Sequence, residues 1–349
     1  MANLMRAAVL NAPHDFGLTT RPTPEPGPGE VLLRVEATTL CGTDLRLISG
    51  AKTAGVRPGV VLGHEIAGRI EAVGDGVDGY PVGAQATVSI VVSCNHCSAC
   101  LAGREHFCAN LELIGYAIDG GLAEHLLVPA RAVANGNVIL TPEMPARTLC
   151  LAEPLSCVLN GAGQFTTRPG DTVVVLGAGP IGLLHTQLAK AQGASRIIVT
   201  NRSAGRRELA LELGATHAVD PTSQDLQAVV DEVTDGQGAD VVVVAIGALP
   251  LANQALELAG IGGRVNYFAG FPKGSTTEMD PNIIHYKELQ VTGGSNARRS
   301  DVHRAVQVLG SGAITADRIV THAFELSDVD QAVQAVSDQL GVKVAVEPR

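Results

Sequence analysis

Short runs of Val, Ile and Leu, broken by Gly and Pro, set the texture of the first 150 residues. Runs at 31–35 and 86–92 read as strands, and segments such as Pro22-Thr23-Pro24-Glu25-Pro26-Gly27-Pro28-Gly29 read as surface loops. After residue 170 the rhythm becomes strand, helix, strand. Residues 172–176 form a β-branched run, 180–192 carry helical periodicity, 196–200 make a second strand and 206–213 a second helix. Strand-like runs at 240–246, 264–268 and 289–292 continue the series. Unbroken Val/Ile runs alternating with helices predict an α/β unit whose parallel sheet is buried on both faces. The tail beyond 296 predicts helices at 301–309 and 328–337 and a last strand at 342–346.

Composition narrows the function classes. A chain of 349 residues with 46% apolar and 17% charged residues has enough material for two packed domains. Net charge is −10, and no block of Lys or Arg could track a phosphate backbone, which argues against nucleic acid as a partner. No apolar run reaches the length of a membrane span, and the first 16 residues lack the apolar centre of a secretory signal. Seven cysteines, an odd number, then suggest thiols that bind metal in a reducing compartment. A soluble, cytoplasmic protein is the expectation.

Four of those cysteines are clustered. Cys94, Cys97, Cys100 and Cys108 follow the spacing Cys-x2-Cys-x2-Cys-x7-Cys. Zinc takes four thiolates in a tetrahedron at about 2.3 Å, and a site filled by four protein ligands has no place for a substrate. The cluster is therefore expected to hold a loop together rather than to perform chemistry.

The strand at 172–176 runs directly into Gly177-Ala178-Gly179-Pro180-Ile181-Gly182. Between a strand and a helix, Gly-x-Gly-x-x-Gly marks a dinucleotide site: Gly177 for the turn, Gly179 for close approach of the pyrophosphate, Gly182 for helix–strand packing. Pro180 and Ile181 open the helix whose N-terminus would face the phosphates. Dinucleotide enzymes that use NAD end the second strand with a carboxylate for the ribose 2′-hydroxyl. Here it ends in Asn201, Arg202 and Ser203, followed by Arg206 and Arg207. That pattern favours NADP, with NAD as the alternative, and assigns Asn201, Arg202, Ser203 and Arg206 to the 2′-phosphate.

Upstream, Cys41-Gly42-Thr43-Asp44 and Gly63-His64-Glu65 each follow a strand-like run. Cys, His and carboxylate are suitable ligands for a catalytic zinc with one open position. Glu153, in Ala152-Glu153-Pro154-Leu155-Ser156, stands where the first part of the chain ends. Taken together, these motifs resemble the zinc-dependent medium-chain dehydrogenases/reductases over essentially the whole chain. Gly63 to Gly68 is similar to that family's zinc signature. Glu153-Pro154-Leu155-Ser156 and the stretch 282–289 resemble its polyol (sorbitol) and threonine dehydrogenase branch.

The resemblance implies a GroES-like, β-rich catalytic domain over 1–154 and 296–349 and a Rossmann doubly wound parallel sheet over 155–295. It implies two zinc ions per chain. Cys41 and His64 would hold the catalytic one, with Glu65 and Glu153 exchanging as ligands, and Cys94, Cys97, Cys100 and Cys108 would hold the structural one. Thr43 would be the hydroxyl that relays the substrate proton, and Asp44 would orient His64 through its other ring nitrogen. The activity implied is hydride transfer between NAD(P) and a secondary alcohol or ketone of a sugar, polyol or similar small polar substrate. Tyr116, Asn296, Arg298 and Arg299 are candidates for its pocket. A homodimer or homotetramer is implied too, with 264–268 and 289–292 as candidate edge strands. One departure stands out: many relatives carry a histidine three residues after the relay hydroxyl, where this chain has Arg46. The alternatives are a double-bond (enone) reductase or a non-catalytic dinucleotide-binding relative, against which the cysteine cluster and the open ligand set both speak.

Overall fold

The computed structural model describes residues 3–348 and divides into two compact units. One contains the chain up to Ser156, then Ala297–Gly310 and the stretch from Ala316 onward; the other contains Cys157–Asn296 and Ser311–Thr315. The helix Ala152–Ala162 carries the chain from the first unit into the second.

The first unit is built on antiparallel pairing, except that Val320–Glu325 runs parallel to Lys343–Glu347. Its larger sheet runs Val138–Leu140, Gln85–Val88, Glu65–Val73, Val31–Thr39, Lys343–Glu347, Val320–Glu325, with His125–Val128 also paired to Val31–Thr39. A smaller sheet joins Asp15–Pro22, Leu4–Ala12 and Val60–Val61. Ala7, Ala8, Val9 and Leu10 of Leu4–Ala12 are buried in one apolar core, and Val31, Leu33 and Val35 of Val31–Thr39 in another. The run at 86–92 is two strands rather than one. The chain leaves the sheet after Val88 and resumes pairing at Val91–Val92, against Glu112–Leu113. Asn137 Nδ2 donates to the carbonyls of Ser89 (2.6 Å) and Val91 (2.8 Å), so the break leaves neither buried oxygen unsatisfied.

The second unit is a six-stranded parallel sheet. Its order is His217–Val219, Arg196–Thr200, Thr172–Leu176, Ala239–Val244, Ala259–Tyr267, Gln290–Gly293. In the unit's own numbering this is 3-2-1-4-5-6, the doubly wound order of dinucleotide-binding folds. Thr172–Leu176 is buried at every position, which is why its sequence does not alternate. The strand Ala259–Tyr267 lies inside the sheet, between two partners, so 264–268 is not an edge; Gln290–Gly293 is. Buried Arg264 is compensated by carboxylates and carbonyls: it lies 3.1 Å from Asp171 and 4.0 Å from Asp240, and its guanidinium donates to the carbonyls of Thr166 and Asp240. The segment Ser311–Thr315 returns to this unit, where the Thr315 N–H donates to Gln187 Oε1 at 2.7 Å.

Candidate active site and metal centres

The sheet of the first unit places the reacting residues at the ends of its strands. Val31–Thr39 leads to Cys41, which precedes the helix Gly42–Ile48. Thr39 sits opposite Glu65 in the neighbouring strand, which sets His64 just before that strand begins. Gly63 makes the turn before it. Its φ of +90° suits glycine, and a Cβ there would come within 2.9 Å of the Leu122 backbone nitrogen. One ligand atom each from Cys41, His64 and Glu65 lies within 4.8 Å of the others. Thiolate, imidazole and carboxylate fit zinc, and three protein ligands leave a fourth position open.

Asp44 links two of those ligand segments. Its Oδ2 accepts from the Cys41 N–H at 2.8 Å, and its Oδ1 stands 3.3 Å from His64 Nδ1. Both of the latter atoms are buried and have no aligned hydrogen-bond partner of their own. Burial would lower the pKa of His64, but the Asp44 charge outweighs it and the imidazole is held well above its usual value. A field that favours positive charge at a buried imidazole is the field a bound cation would find.

Glu65 has company that its motif does not announce. It is 1% exposed, and Lys343 Nζ lies 2.8 Å from either of its oxygens. The Thr39 hydroxyl also donates to Oε2. Burial would push the Lys343 ammonium down, but the Glu65 carboxylate keeps its pKa raised. Direct ligation by Glu65 therefore competes with an existing ion pair. Glu153, on the first turn of its helix, lies outside the three-ligand set, although its charge reaches Tyr116 and Lys343.

The four cysteines converge as well, with one sulfur each within 4.8 Å of the others and Cys97 and Cys100 3.5 Å apart. A zinc tetrahedron with bonds of about 2.3 Å separates its sulfurs by about 3.8 Å, so the donor set fits. Backbone N–H groups are aimed at the sulfurs: those of Cys94 and Asn110 lie 3.2 and 3.3 Å from Cys108 Sγ. The His96 N–H, ahead of any other cause, lowers the Cys94 pKa to about 6. Asn95, with φ of +60°, makes the turn that presents these donors.

In the second unit, Gly177 turns the chain at φ +109°. A Cβ on Gly182 would stand 1.8 Å from the Gly177 oxygen, while nothing lies within 4 Å of one on Gly179. The geometry thus leaves room at the N-terminus of the helix Pro180–Ala191, where a pyrophosphate fits. Beyond the second strand, Asn201 Oδ1 accepts from the Ser203 N–H. Arg202 and Ser203 are exposed and Arg206 is half-buried. Arg207 is taken up structurally: it pairs with Asp220 at 3.0 Å and donates to the carbonyls of Asn201 and Arg202.

Of the pocket candidates, Tyr116 lies beside the candidate ligand His64, with their ring centroids 5.3 Å apart. Arg298 is tied to buried Asp301 at 2.8 Å. Arg299 is anchored on the cysteine lobe, donating to Ser93 Oγ and, through its backbone N–H, to Glu105. The Asn296 carbonyl accepts from Asn160. The sequence reading missed Lys343, Thr39 and Lys52. A lone lysine or threonine in a strand carries no signal of its partner, and Lys343 meets a residue 278 positions away.

Comparison with known proteins gives a consistent result. Residues 27–138 match the family model for the alcohol dehydrogenase GroES-like domain, and residues 180–311 match that for the zinc-binding dehydrogenases. The chain is 35% identical to L-threonine 3-dehydrogenase of Pyrococcus furiosus, over 91% of each chain. It is 32% identical to sorbitol dehydrogenase of Halalkalibacterium halodurans, over 95% of this chain and 96% of that one. A crystal structure from Sinorhizobium meliloti, described as a zinc-binding dehydrogenase bound to NADP, superposes with a TM-score of 0.92 at 34% identity, covering 99% of this chain and all of that one.

Proposed function

The chain belongs to the zinc-binding alcohol dehydrogenases, NAD(P)-dependent oxidoreductases of the polyol and threonine dehydrogenase-like branch, and we propose how its own residues divide the work. Cys41 and His64 hold a catalytic zinc, with Glu65 and Glu153 as exchanging ligands, and Cys94, Cys97, Cys100 and Cys108 hold a structural one. Gly177, Gly179, Pro180, Ile181 and Gly182 bind the pyrophosphate of the nucleotide. Asn201, Arg202, Ser203 and Arg206 favour NADP over NAD. The substrate is the secondary alcohol, or the corresponding ketone, of a small polar molecule. Thiolate ligands also suit the reducing cytoplasm. The observation that carries the reading is the Cys41–His64–Glu65 set with Asp44 behind it.

When bound, zinc supplies Lewis acidity that polarises the substrate oxygen, and the nicotinamide supplies the hydride acceptor. The protein does the rest by placement. Asp44 fixes the His64 ring so that Nε2 is left for the metal. Thr43 is the hydroxyl available to the substrate oxygen. Arg46 Nη2 donates to Thr43 Oγ1 at 3.0 Å, which leaves the threonine hydrogen free to point at the substrate. Because arginine does not give up its proton, the route outward from Thr43 runs through water or the nucleotide ribose and not through residue 46.

Metal analysis of the purified protein, followed by NADPH and NADH titrations, tests this division. Two zinc ions per chain and tighter binding of NADPH are expected. One zinc or none on a folded protein would sink the reacting-centre assignment. Tighter NADH binding would remove Arg206 and its neighbours from the 2′-phosphate role.

A further inference from the structure

Two cationic residues on adjoining segments lie near the candidate ligand set. Arg46 projects from the helix Gly42–Ile48 and reaches Thr43 Oγ1 at 3.0 Å. Lys52 lies on the loop that follows, its backbone N–H donating to the Arg46 carbonyl at 2.9 Å. The Lys52 ammonium sits over the Tyr116 ring, 4.6 Å from the centroid, and Tyr116 packs in turn beside His64. The pair thus stands within one side chain of both Thr43 and a metal ligand.

Several features set these residues apart from ordinary surface cations. Among the described residues neither forms an ion pair, although the chain carries a net charge of −10 and Arg57, close by in sequence, is paired with Asp119 at 2.5 Å. Lys52 is only partly exposed, so it has given up some of its water without gaining a carboxylate. Burial lowers its pKa, and the Arg46 charge lowers it further. The nearest acidic groups, Cys41 and Asp44, are engaged with each other and with His64 at the candidate metal site. Two like charges on adjoining segments, neither paired with a carboxylate among the described residues, describe a place where an incoming anion gains from both.

We propose that Arg46 and Lys52 form an anion-binding subsite beside the reacting centre, and that the alcohol oxidised here carries a carboxylate or a phosphate. The inference rests on the alcohol dehydrogenase reading and specifies its substrate class. Arginine offers a planar fork of donors and lysine a compact charge, a combination that both anions accept. Since Arg46 touches the hydroxyl that faces the substrate oxygen, the anionic group lies within a few bonds of the carbinol carbon. A short hydroxy acid and a short polyol phosphate both meet that description.

Calorimetric titration of the zinc-loaded, nucleotide-bound enzyme with erythritol, D-erythronate and D-erythritol 4-phosphate tests the subsite. At least one of the two anions is expected to bind tenfold or more tightly than erythritol, and the tighter one identifies carboxylate or phosphate as the group recognised. The advantage should shrink as ionic strength rises from about 0.05 to 0.3 M, since the charges are partly exposed. It should fall at least fivefold in Lys52→Gln and in Arg46→Gln, and persist in Lys52→Arg. Equal binding of all three ligands overturns the proposal, as does failure of both anions to bind. A preference that survives both Gln substitutions overturns it too. If those substitutions weaken NADP or NAD tenfold and leave the anion preference intact, the pair serves the nucleotide phosphates and the proposal falls. Formation of NADPH or NADH, followed in parallel, reports separately on the parent reading. Anion preference without oxidation of any of these alcohols counts against the dehydrogenase reading alone, whereas oxidation of erythritol without anion preference counts against the subsite alone.

Discussion

Glu65 and Lys343 show how much of a site can rest on one buried pair. Both are almost fully buried, and each is the other's main compensation for lost water. Replacing Lys343 with Met should therefore leave a carboxylate stranded, at a cost of about 3–5 kcal/mol to the metal-free protein. Urea unfolding after chelation measures this, and the double variant Lys343→Met/Glu65→Gln should recover much of the loss. A cost below about 1 kcal/mol would mean that the pair compensates nothing. His185 poses the opposite case. It is packed edge-on against Phe268, its Nε2 has no partner, and burial lowers its pKa to about 3 from 6.5. The unfolded chain then takes up a proton below pH 6.5 that the folded chain refuses, so this residue costs stability as pH falls from there towards 3. Between pH 7 and pH 5 that loss is about 2 kcal/mol, and His185→Leu should abolish it. Identical pH slopes for wild type and variant would show that the imidazole is not excluded from protons. Neither effect was legible beforehand. Sequence marks Glu65 through its neighbours Gly63 and His64, but it carries no sign of which lysine will reach it.

The cysteine lobe is an element with little else to hold it. Its helix Ser98–Leu101 spans a single turn, far below the length at which a helix persists alone, and Leu101 and Phe107 point to solvent. On the proposed structural zinc, thiolate–metal bonds would supply what a core supplies in a larger element. Cys108→Ala is accordingly expected to lower the melting temperature and solubility more than it lowers turnover, because none of the four cysteines lies in the Cys41–His64–Glu65 set. Normal melting with lost activity would reverse the assignment. For His64→Ala the expectation is one zinc fewer per chain with nucleotide affinity unchanged within about twofold, since the proposed nucleotide contacts lie on a separate strand–turn–helix element. A parallel loss of NADPH binding would contradict that. The strand–turn–helix element itself was readable in advance, because each of its glycines has a local reason. Gly177 is needed for a positive φ and Gly182 for a contact that no Cβ allows. The division of 86–92 into two strands was not readable, because it depends on an asparagine 46 and 48 residues away.

At the scale of the molecule, the mainly antiparallel sheets of the first unit and the parallel sheet of the second follow from two patterns of apolar residues. The parallel sheet ends in Gln290–Gly293, whose outer side has no partner strand among the described residues and where Val291 is exposed. Such an edge invites a second copy, and light scattering should return a dimer or a tetramer, with Val291→Lys shifting the distribution towards smaller species. A monomer at every concentration would refute the expectation. The apolar patterns, the glycine turn and the two clusters of metal-ligand residues are properties of neighbouring residues, so the sequence by itself determined the fold class, the nucleotide turn and the donor types. Strand order was decided only when the elements packed, and it moved residues 264–268 from a supposed edge to the interior. Tertiary structure likewise brought Lys343 to Glu65, took Arg207, Arg298 and Arg299 into structural ion pairs and hydrogen bonds, and left Arg46 and Lys52 without carboxylates. The physical reason is common to all of these: a side chain's type sets which partners it accepts, but only the packed chain sets which of them come within 3 or 4 Å.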